Sequence, residues 1–218
     1  MDSLKKALIS STLAIGFAWA NSSYAANDTL ASFYNDYKKI KHEVYNNPTH
    51  GREILSAYSN KLESLPKHAK IDYFHQLSLS YLYTQDFKKA FDTINLALLI
   101  IDTRTPSEQL YNILSVEAYV SNALDTKSAE ETERDLLYLY DIAVKLGADN
   151  YNALIDINLQ LGVFYNSKNK FILAHHHIKE SLELAKKHGN NLAIAHSTWQ
   201  SHPRKQSIKS LFCFFYSP

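Results

Sequence analysis

Two stretches of this chain carry the same order of apolar, small and aromatic residues at identical spacing. The first stretch is Leu77, Ser78, Tyr81, Phe87, Ala90, Ile94 and Ala97, and the second is Leu161, Gly162, Tyr165, Phe171, Ala174, Ile178 and Ser181. Steps of three and four residues place such positions on one face of a helix, and a short connector divides each stretch in two. Each stretch is therefore predicted to be a hairpin of two helices. A repeated hairpin constrains the fold strongly, because such units stack into an array.

The composition agrees with a helical protein. Only 5 of the 218 residues are Gly and 5 are Pro, which is too few for the frequent turns of a β-sandwich or barrel. Apolar spacing predicts nine helices, near residues 28–45, 51–64, 70–84, 87–101, 106–124, 128–146, 151–167, 170–188 and 191–200. The expected fold class is all-α.

The small residues of the repeated pattern predict where paired helices approach each other closely. Ser78 and Gly162 lie on the first helix of their hairpins, and Ala90 and Ala174 lie on the second. A small side chain lets a neighbouring backbone come near, and the larger residues of the pattern then fill the remaining space. We therefore expect Ser78 to contact Ala90, and Gly162 to contact Ala174.

This pattern resembles the tetratricopeptide repeat family, whose unit of about 34 residues is a helical hairpin. The resemblance covers residues 70–188 and is strongest in the two stretches above. It implies a right-handed α-α superhelix of hairpins. Residues 70–200 are then tetratricopeptide-like repeats, and residues 26–69 are an N-terminal hairpin that acts as a capping or degenerate repeat.

The chain departs from the family pattern at two points. Asn158 stands where the family has an aromatic residue, and 84 residues separate Ala97 from Ser181, more than two regular units occupy. The middle hairpin, about 105–150, is therefore predicted to have longer helices or an insertion around 122–127.

The resemblance also implies a partner-binding groove, lined by the first helix of each hairpin. The groove-facing positions correspond to His75, Leu79, Leu82, Leu159 and Val163. These residues are mostly apolar, so we expect the groove to hold an amphipathic helix or an internal segment of the same chain. Certain family members clamp a C-terminal carboxylate at such positions. Here the aligned residues are His75, Leu79, Asp156 and Gln160, which do not reproduce that clamp.

The sequence shows no motif of a catalytic, cofactor or metal site. His175, His176 and His177 are consecutive on a predicted helix, so they project about 100° apart and cannot share one ion. The chain has a single Cys and neither the H-E-x-x-H nor the P-loop pattern. We expect no enzymatic activity and no cofactor. Nucleic acid is not an expected partner, because 23 basic residues are balanced by 22 acidic ones.

The N-terminal segment has the three parts of a secretory signal. Two lysines precede the apolar run 7–20, and Ser23 and Ala25 fit the small-residue cleavage site. Fourteen residues of helix reach about 21 Å, less than the ~30 Å hydrocarbon core, although a single membrane anchor is the alternative. Residues 1–25 are therefore the predicted signal peptide, cleaved after Ala25, and the protein is expected to be periplasmic or secreted.

The last residues depart from the helical pattern. Residues 201–218 begin with a Pro-containing break and contain an aromatic run, 211–216, with Cys213 inside it. An exposed aromatic run is an aggregation hazard in an exported protein. We interpret this irregular tail as the product of a truncation or frameshift in a longer protein. The alternative is a tail that touches a membrane or docks a partner.

Together these patterns predict an exported, non-catalytic protein–protein interaction scaffold whose partner is a protein or peptide. The alternative is the sensor fragment of a truncated membrane signalling protein such as a diguanylate cyclase. Exported bacterial repeat proteins of this kind resemble receptors in which the repeats precede a membrane helix and a signalling domain. Contact with a membrane is expected only through the signal segment or through a missing C-terminal part.

Overall fold

The described part of the chain contains helices and no strand. The computed structural model describes residues 28–147, 150–191 and 193–194. The predicted signal peptide and the predicted irregular tail lie outside these residues, as does most of the predicted helix 191–200. Among the helices described, none is both long enough and apolar enough to cross a membrane.

Eight α-helices and one 3₁₀ helix of six residues can be given bounds among the described residues. They are α1 (28–46), α2 (Pro48–Ser56), the 3₁₀ helix (Ser59–Ser64), α3 (Lys67–Tyr83), α4 (Phe87–Leu98), α5 (Glu108–Ala123), α6 (Ala129–Leu146), α7 (Tyr151–Ser167) and α8 (Phe171–Lys187). The predicted helix 51–64 is thus two elements. The first begins early because the Asn47 side chain accepts from the amide of His50 and Pro48 occupies the first turn.

Paired helices approach at the small residues of the repeated pattern. The Ser78 hydroxyl donates to the carbonyl of Ala90 at 2.8 Å, which joins α3 to α4. A Cβ atom at Gly162 would lie 2.5 Å from Cγ1 of Ile178 and 3.3 Å from the carbonyl oxygen of Ala174, so only glycine fits where α7 meets α8. The two predicted close contacts are confirmed. Both pairs run antiparallel.

The turns that follow α3, α5 and α7 share one backbone geometry. A residue with positive φ follows the first helix in each: Gln85 (61°), Asp125 (56°) and Asn169 (57°). The next amide then donates five residues back, from Asp86 to Tyr81, from Thr126 to Ser121 and from Lys170 to Tyr165. This is the hydrogen-bond pattern of a Schellman motif, which ends a helix and reverses the chain. Ser121 therefore occupies the place that tyrosine holds in the other two hairpins.

The extra length of the middle hairpin lies in its connections and in its second helix, since α6 has 18 residues whereas α4 has 12. The turn between α5 and α6 spans 124–128, whereas the corresponding turns in the other two hairpins span 84–86 and 168–170. The connection from α4 to α5 is longer still, at 99–107. The predicted insertion near 122–127 therefore corresponds to two added residues in the turn, and the rest of the excess lies elsewhere.

Helix α5 lies at the centre of the array. It contributes Ile113, Val116 and Val120 to a hydrophobic cluster with α1–α4. Leu110 and Ala118, on other sides of the same helix, belong to a second cluster with α6–α8. The two clusters meet at α5, and this arrangement positions α5 between α3 and α7 in the site described next.

Candidate binding site

Side-chain hydrogen bonds join the odd-numbered helices α1, α3, α5 and α7 laterally. They run from Gln76 to Tyr37 (3.5 Å), from Gln109 to Asp72 (2.7 Å), from Tyr111 to Asp156 (2.6 Å) and from Gln160 to Ser115 (3.0 Å). The first of these bonds joins α1 to α3, the second joins α3 to α5, and the last two join α5 to α7. The first helices of successive hairpins therefore form one continuous surface.

A cavity of about 580 Å³ opens on this surface. Its lining comes from all four odd-numbered helices, with Asn150 added from the residues that precede α7. Four tyrosines line it: Tyr37, Tyr45, Tyr83 and Tyr111. Among the described residues, its aliphatic lining consists of Val44, Leu79 and Ala153. The cavity is polar and aromatic, unlike the apolar groove that the sequence predicts.

The predicted groove residues divide between the cavity and the core. His75 and Leu79 line the cavity. Leu82 lies in the cluster of the N-terminal half, and Leu159 is buried against Ile178 with Val163 packed beside it. These three residues are not among those that line the cavity. Apolar residues on a first helix turn towards the second helix of the hairpin, so the surface that remains open is polar.

Asp156 is the most unusual polar group in the cavity. Its Oδ2 atom accepts from the Tyr111 hydroxyl at 2.6 Å and from Nε2 of Gln160 at 3.0 Å. Its Oδ1 atom is buried and has no hydrogen-bond partner among the described residues. Burial raises the pKa of the Asp156 carboxyl to about 7, although the donated hydrogen bonds oppose that change.

His75 is a second buried titratable group in the cavity lining. Burial, reinforced by the charge of Lys41, lowers the pKa of the imidazole to about 4. His75 is therefore neutral at pH 7. The charged groups that line the cavity are then Lys41, Asp72 and Glu108, together with Asp156 when it is ionised.

Two of the cavity acids differ in how firmly they are held. Asp72 accepts from the Tyr34 hydroxyl at 2.9 Å and from Gln109 at 2.7 Å, so both of its oxygens are engaged. Glu108 is exposed in the first turn of α5, where the helix dipole favours a negative charge. With Asp156, the described lining contains three acidic residues, whereas Lys41 is its one residue with a positive charge at pH 7.

The resemblance aligned Asp156 and Gln160 with groove positions, but sequence reasoning gave neither of them a role. The signal was an acidic residue inside an otherwise apolar stretch, Leu154-Ile155-Asp156-Ile157. Such a residue is buried with its helix and then needs partners. The partner Tyr111 lies 45 residues away in sequence, so spacing alone does not reveal the pair.

The consecutive histidines on α8 do not form a metal centre in the described structure. Nδ1 of His177 lies 2.9 Å from Oδ1 of Asn158, and its ring stacks on Tyr165 with centroids 5.5 Å apart. Among the described residues, His, Cys, Asp and Glu side chains do not gather in threes or more at a point where an ion could bind.

Fold and site together define an all-helical array of antiparallel hairpins with a polar cavity across its first helices. Comparison of the chain with protein-family models, with curated proteins and with solved structures finds no match.

Proposed function

We propose that this chain is a non-catalytic interaction scaffold of tetratricopeptide-like hairpins, exported to the periplasm or secreted, that binds a protein or peptide segment. The observation that carries the proposal is the cavity to which the first helix of each of four successive hairpins contributes. An array of helical hairpins uses such a shared surface to hold an extended partner, because each repeat adds side chains along one line.

The likeness of the hairpins to one another supports the tetratricopeptide-like arrangement. All three turns that follow α3, α5 and α7 have the same Schellman geometry. Close contacts at Ser78 and Gly162 fall at matching points of the first and last of these hairpins. The contact between α3 and α5 shows that first helices pack on one another as well as on their own partners.

The chemistry of the lining supports a peptide as the ligand. Primary amide side chains from three places surround the cavity, namely Gln76 and Gln109 from α3 and α5, and Asn150 and Asn152 near the start of α7. An amide both donates and accepts, so it can pair with the peptide groups of an extended segment. A volume of about 580 Å³ also lies within the usual range of ligand pockets.

Selection from a library of displayed random dodecapeptides tests this proposal. The full chain serves as bait, and affinities of selected peptides are then measured for two charge-reversed variants. Glu108→Arg alters the cavity, whereas Glu130→Arg makes the same change in the first turn of α6, where the residue is exposed and outside the cavity lining. We expect Glu108→Arg to weaken binding at least ten-fold and Glu130→Arg to leave it unchanged. Equal effects of the two variants, or no selected peptides, would contradict the proposal.

The alternative function is a sensor fragment of a truncated membrane signalling protein. One described feature favours a longer array. The Asn190 side chain accepts from the amide of Ala193, and its carbonyl accepts from Ile194, as at the start of a further helix. Sequencing the DNA beyond codon 200 in all three frames tests this alternative. A resumed repeat followed by a membrane span and an enzyme domain supports it, and a clean stop with no continuation contradicts it.

A further inference from the structure

We propose that the cavity recognises a primary ammonium group through the Oδ1 atom of Asp156. The inference rests on the proposed function, because the ammonium belongs to the ligand that occupies the cavity. It adds a chemical requirement for that ligand. The recognised group is the end of a lysine side chain or of a free aliphatic amine.

The first argument is the asymmetry of the Asp156 carboxylate. Oδ2 is fixed by Tyr111 from α5 and by Gln160 one turn further along α7. Oδ1 is buried and has no hydrogen-bond partner among the described residues, although the Ser115 side chain lies near the carboxyl group and helps to lower its pKa. A buried acceptor left without a donor costs free energy. A ligand that donates a hydrogen bond there recovers that cost, so the carboxylate is oriented in advance for a donor.

The number of vacant oxygens favours ammonium over guanidinium. A guanidinium group binds a carboxylate best through two parallel hydrogen bonds, which need both oxygens. Asp156 offers one, because Oδ2 already accepts two bonds. An ammonium group is a compact charge that needs a single close acceptor, and it can direct its other protons towards further oxygens.

The surrounding charge also favours a cation. Asp72 from α3 and Glu108 from α5 line the same cavity as Asp156, and Lys41 from α1 is the one basic residue in the described part of the lining that is charged at pH 7. His75 does not add positive charge at pH 7, because its pKa lies at about 4. A cavity with an excess of negative charge raises the local concentration of cations. The lining also includes four tyrosines, and aromatic rings attract ammonium groups over their faces.

The protonation of Asp156 makes the affinity of the cavity for an ammonium group depend on pH. An ammonium binds the ionised carboxylate, so binding releases the proton that a carboxyl with a pKa of about 7 partly retains. The other titratable groups that line the cavity are Lys41, Asp72, His75, Glu108 and the four tyrosines, and the pKa of His75, at about 4, lies below pH 6. Affinity should therefore fall about ten-fold from pH 8 to pH 6, since the ionised fraction of Asp156 falls by that factor.

A ligand that presents a hydrogen-bond acceptor would behave in the opposite way. Protonated Asp156 can donate from Oδ1 to a carbonyl oxygen, and that form predominates below pH 7. Such binding would strengthen from pH 8 to pH 6. The sign of the pH dependence thus separates the two ligand chemistries without any substitution in the protein.

The test uses small probes titrated into the full chain and followed by NMR chemical shifts. The ammonium probes are acetyl-Gly-Lys-Gly-amide and cadaverine, which present the group from a peptide and from a free amine. The comparison probes are the same tripeptide with acetylated lysine and with arginine. We expect at least one ammonium probe to bind ten-fold more tightly than both comparison probes. Tighter binding of the lysine tripeptide identifies a peptide as the source of the ammonium group, and tighter binding of cadaverine identifies a free amine.

The Asp156→Asn variant tests the assigned atom, because it keeps the shape of the side chain and removes its charge. We expect this variant to bind the ammonium probes at least ten-fold more weakly and to bind them with an affinity that does not depend on pH. Asp92→Asn is the matched control, since Asp92 is an exposed residue of α4 outside the cavity lining. Thermal melting of both variants shows whether each remains folded, and the pH dependence of the unmodified chain stands whatever that result.

Several outcomes would overturn the inference. They are equal binding of acetylated and free lysine, affinity that rises from pH 8 to pH 6, unchanged binding to a folded Asp156→Asn variant, and no binding of either ammonium probe at 10 mM. Each leaves the proposed function standing if library peptides still depend on Glu108. Failure of the library experiment counts against the proposed function instead, so the two failures can be told apart.

Discussion

The Tyr111 hydroxyl donates a 2.6 Å hydrogen bond to Asp156, and this bond joins α5 to α7 within the lining of the cavity. The same hydroxyl lies 3.0 Å from the carbonyl oxygen of Ala153, one turn earlier on α7. One tyrosine therefore contacts both the backbone of α7 and the side chain proposed to meet the ligand. Any change to this pair alters the packing of neighbouring hairpins and the ionisation of the site together.

Replacing the hydroxyl of Tyr111 should raise the pKa of Asp156. The bond from Tyr111 stabilises the ionised carboxylate, so Tyr111→Phe removes one of the effects that hold the pKa down. We also expect a loss of roughly 1–3 kcal/mol in the free energy of unfolding, because a bond to a charged group is lost. Carboxyl ¹³C titration by NMR and urea denaturation measure the two effects. Tyr138→Phe is the control, since that exposed hydroxyl donates to the Thr103 carbonyl, away from the cavity lining, and its loss should leave the Asp156 pKa unchanged.

Asp156 should make the free protein less stable as the pH rises from 4 to 7. The pKa in the folded chain is about 7 and the unfolded value is near 4, so in this range the unfolded chain binds fewer protons at this group. The favourable contribution of the protonated carboxyl is complete below pH 4 and is lost by pH 7, amounting to at most about 4 kcal/mol. Urea denaturation at several pH values in this range should show that the free energy of unfolding of Asp156→Asn increases relative to that of the unmodified chain as the pH rises. A constant difference between the two proteins would refute the raised pKa.

Gly162→Ala should destabilise the last hairpin although alanine favours helices. A Cβ atom at this position would lie 2.5 Å from Cγ1 of Ile178 on α8. We expect overpacking to lower the free energy of unfolding by roughly 1–3 kcal/mol, whereas the higher helix propensity of alanine raises it by about 1 kcal/mol. Urea denaturation of Gly162→Ala, Ile178→Ala and the double variant forms a cycle. The double variant should lose less than the sum of the single losses, and simple additivity would show that the two groups do not meet.

Removing Lys127 should destabilise the middle hairpin by leaving a buried charge without its partner. Glu117 is only 8% exposed, and the Lys127 ammonium lies 2.8 Å from its carboxylate and 2.7 Å from Asp135. We expect Lys127→Met to cost about 3 kcal/mol in chemical denaturation. Lys145→Met is the control, since the ion pair of Lys145 with Asp141 on α6 is exposed. Its loss should change the free energy of unfolding by less than about 0.5 kcal/mol.

The same network offers a rescue. Glu117 stands where the other two hairpins have Leu77 and Leu161, as the shared turn geometry shows. Adding Glu117→Leu to Lys127→Met replaces the buried ionic pair with apolar packing, which is often neutral or stabilising. We expect the double variant to recover most of the stability lost in the single one. A double variant less stable than Lys127→Met would contradict this account of the middle hairpin.

Local spacing predicted the hairpins that follow the repeated pattern, because their contacts lie within one turn and its two helices. Ser78 with Ala90 and Gly162 with Ala174 were found from sequence for this reason. The two helices of the middle hairpin were also predicted, but this hairpin lacks the repeated residues. Ser121 replaces a tyrosine, and polar contacts with Glu117 and Lys127 replace apolar packing.

The chemistry of the cavity could not be read from spacing in the same way. The predicted apolar groove used Leu82 and Leu159, but both turn into the core of their hairpins. The open lining depends on how α1, α3, α5 and α7 lie beside one another. Their lateral contacts join residues about 40 positions apart, as in the bonds from Gln109 to Asp72 and from Gln160 to Ser115. No periodicity within one helix encodes such pairs.

The position of α5 between the two hydrophobic clusters has a consequence for cooperativity. Ile113 and Val116 are buried with the N-terminal cluster, and Leu110 is buried with the C-terminal one. Loss of either half exposes apolar surface of α5 and so weakens the other half. The array should therefore melt in one transition rather than unzip from an end, as long repeat proteins often do. A ligand held between α3, α5 and α7 would raise the temperature of that single transition and would not create a second one.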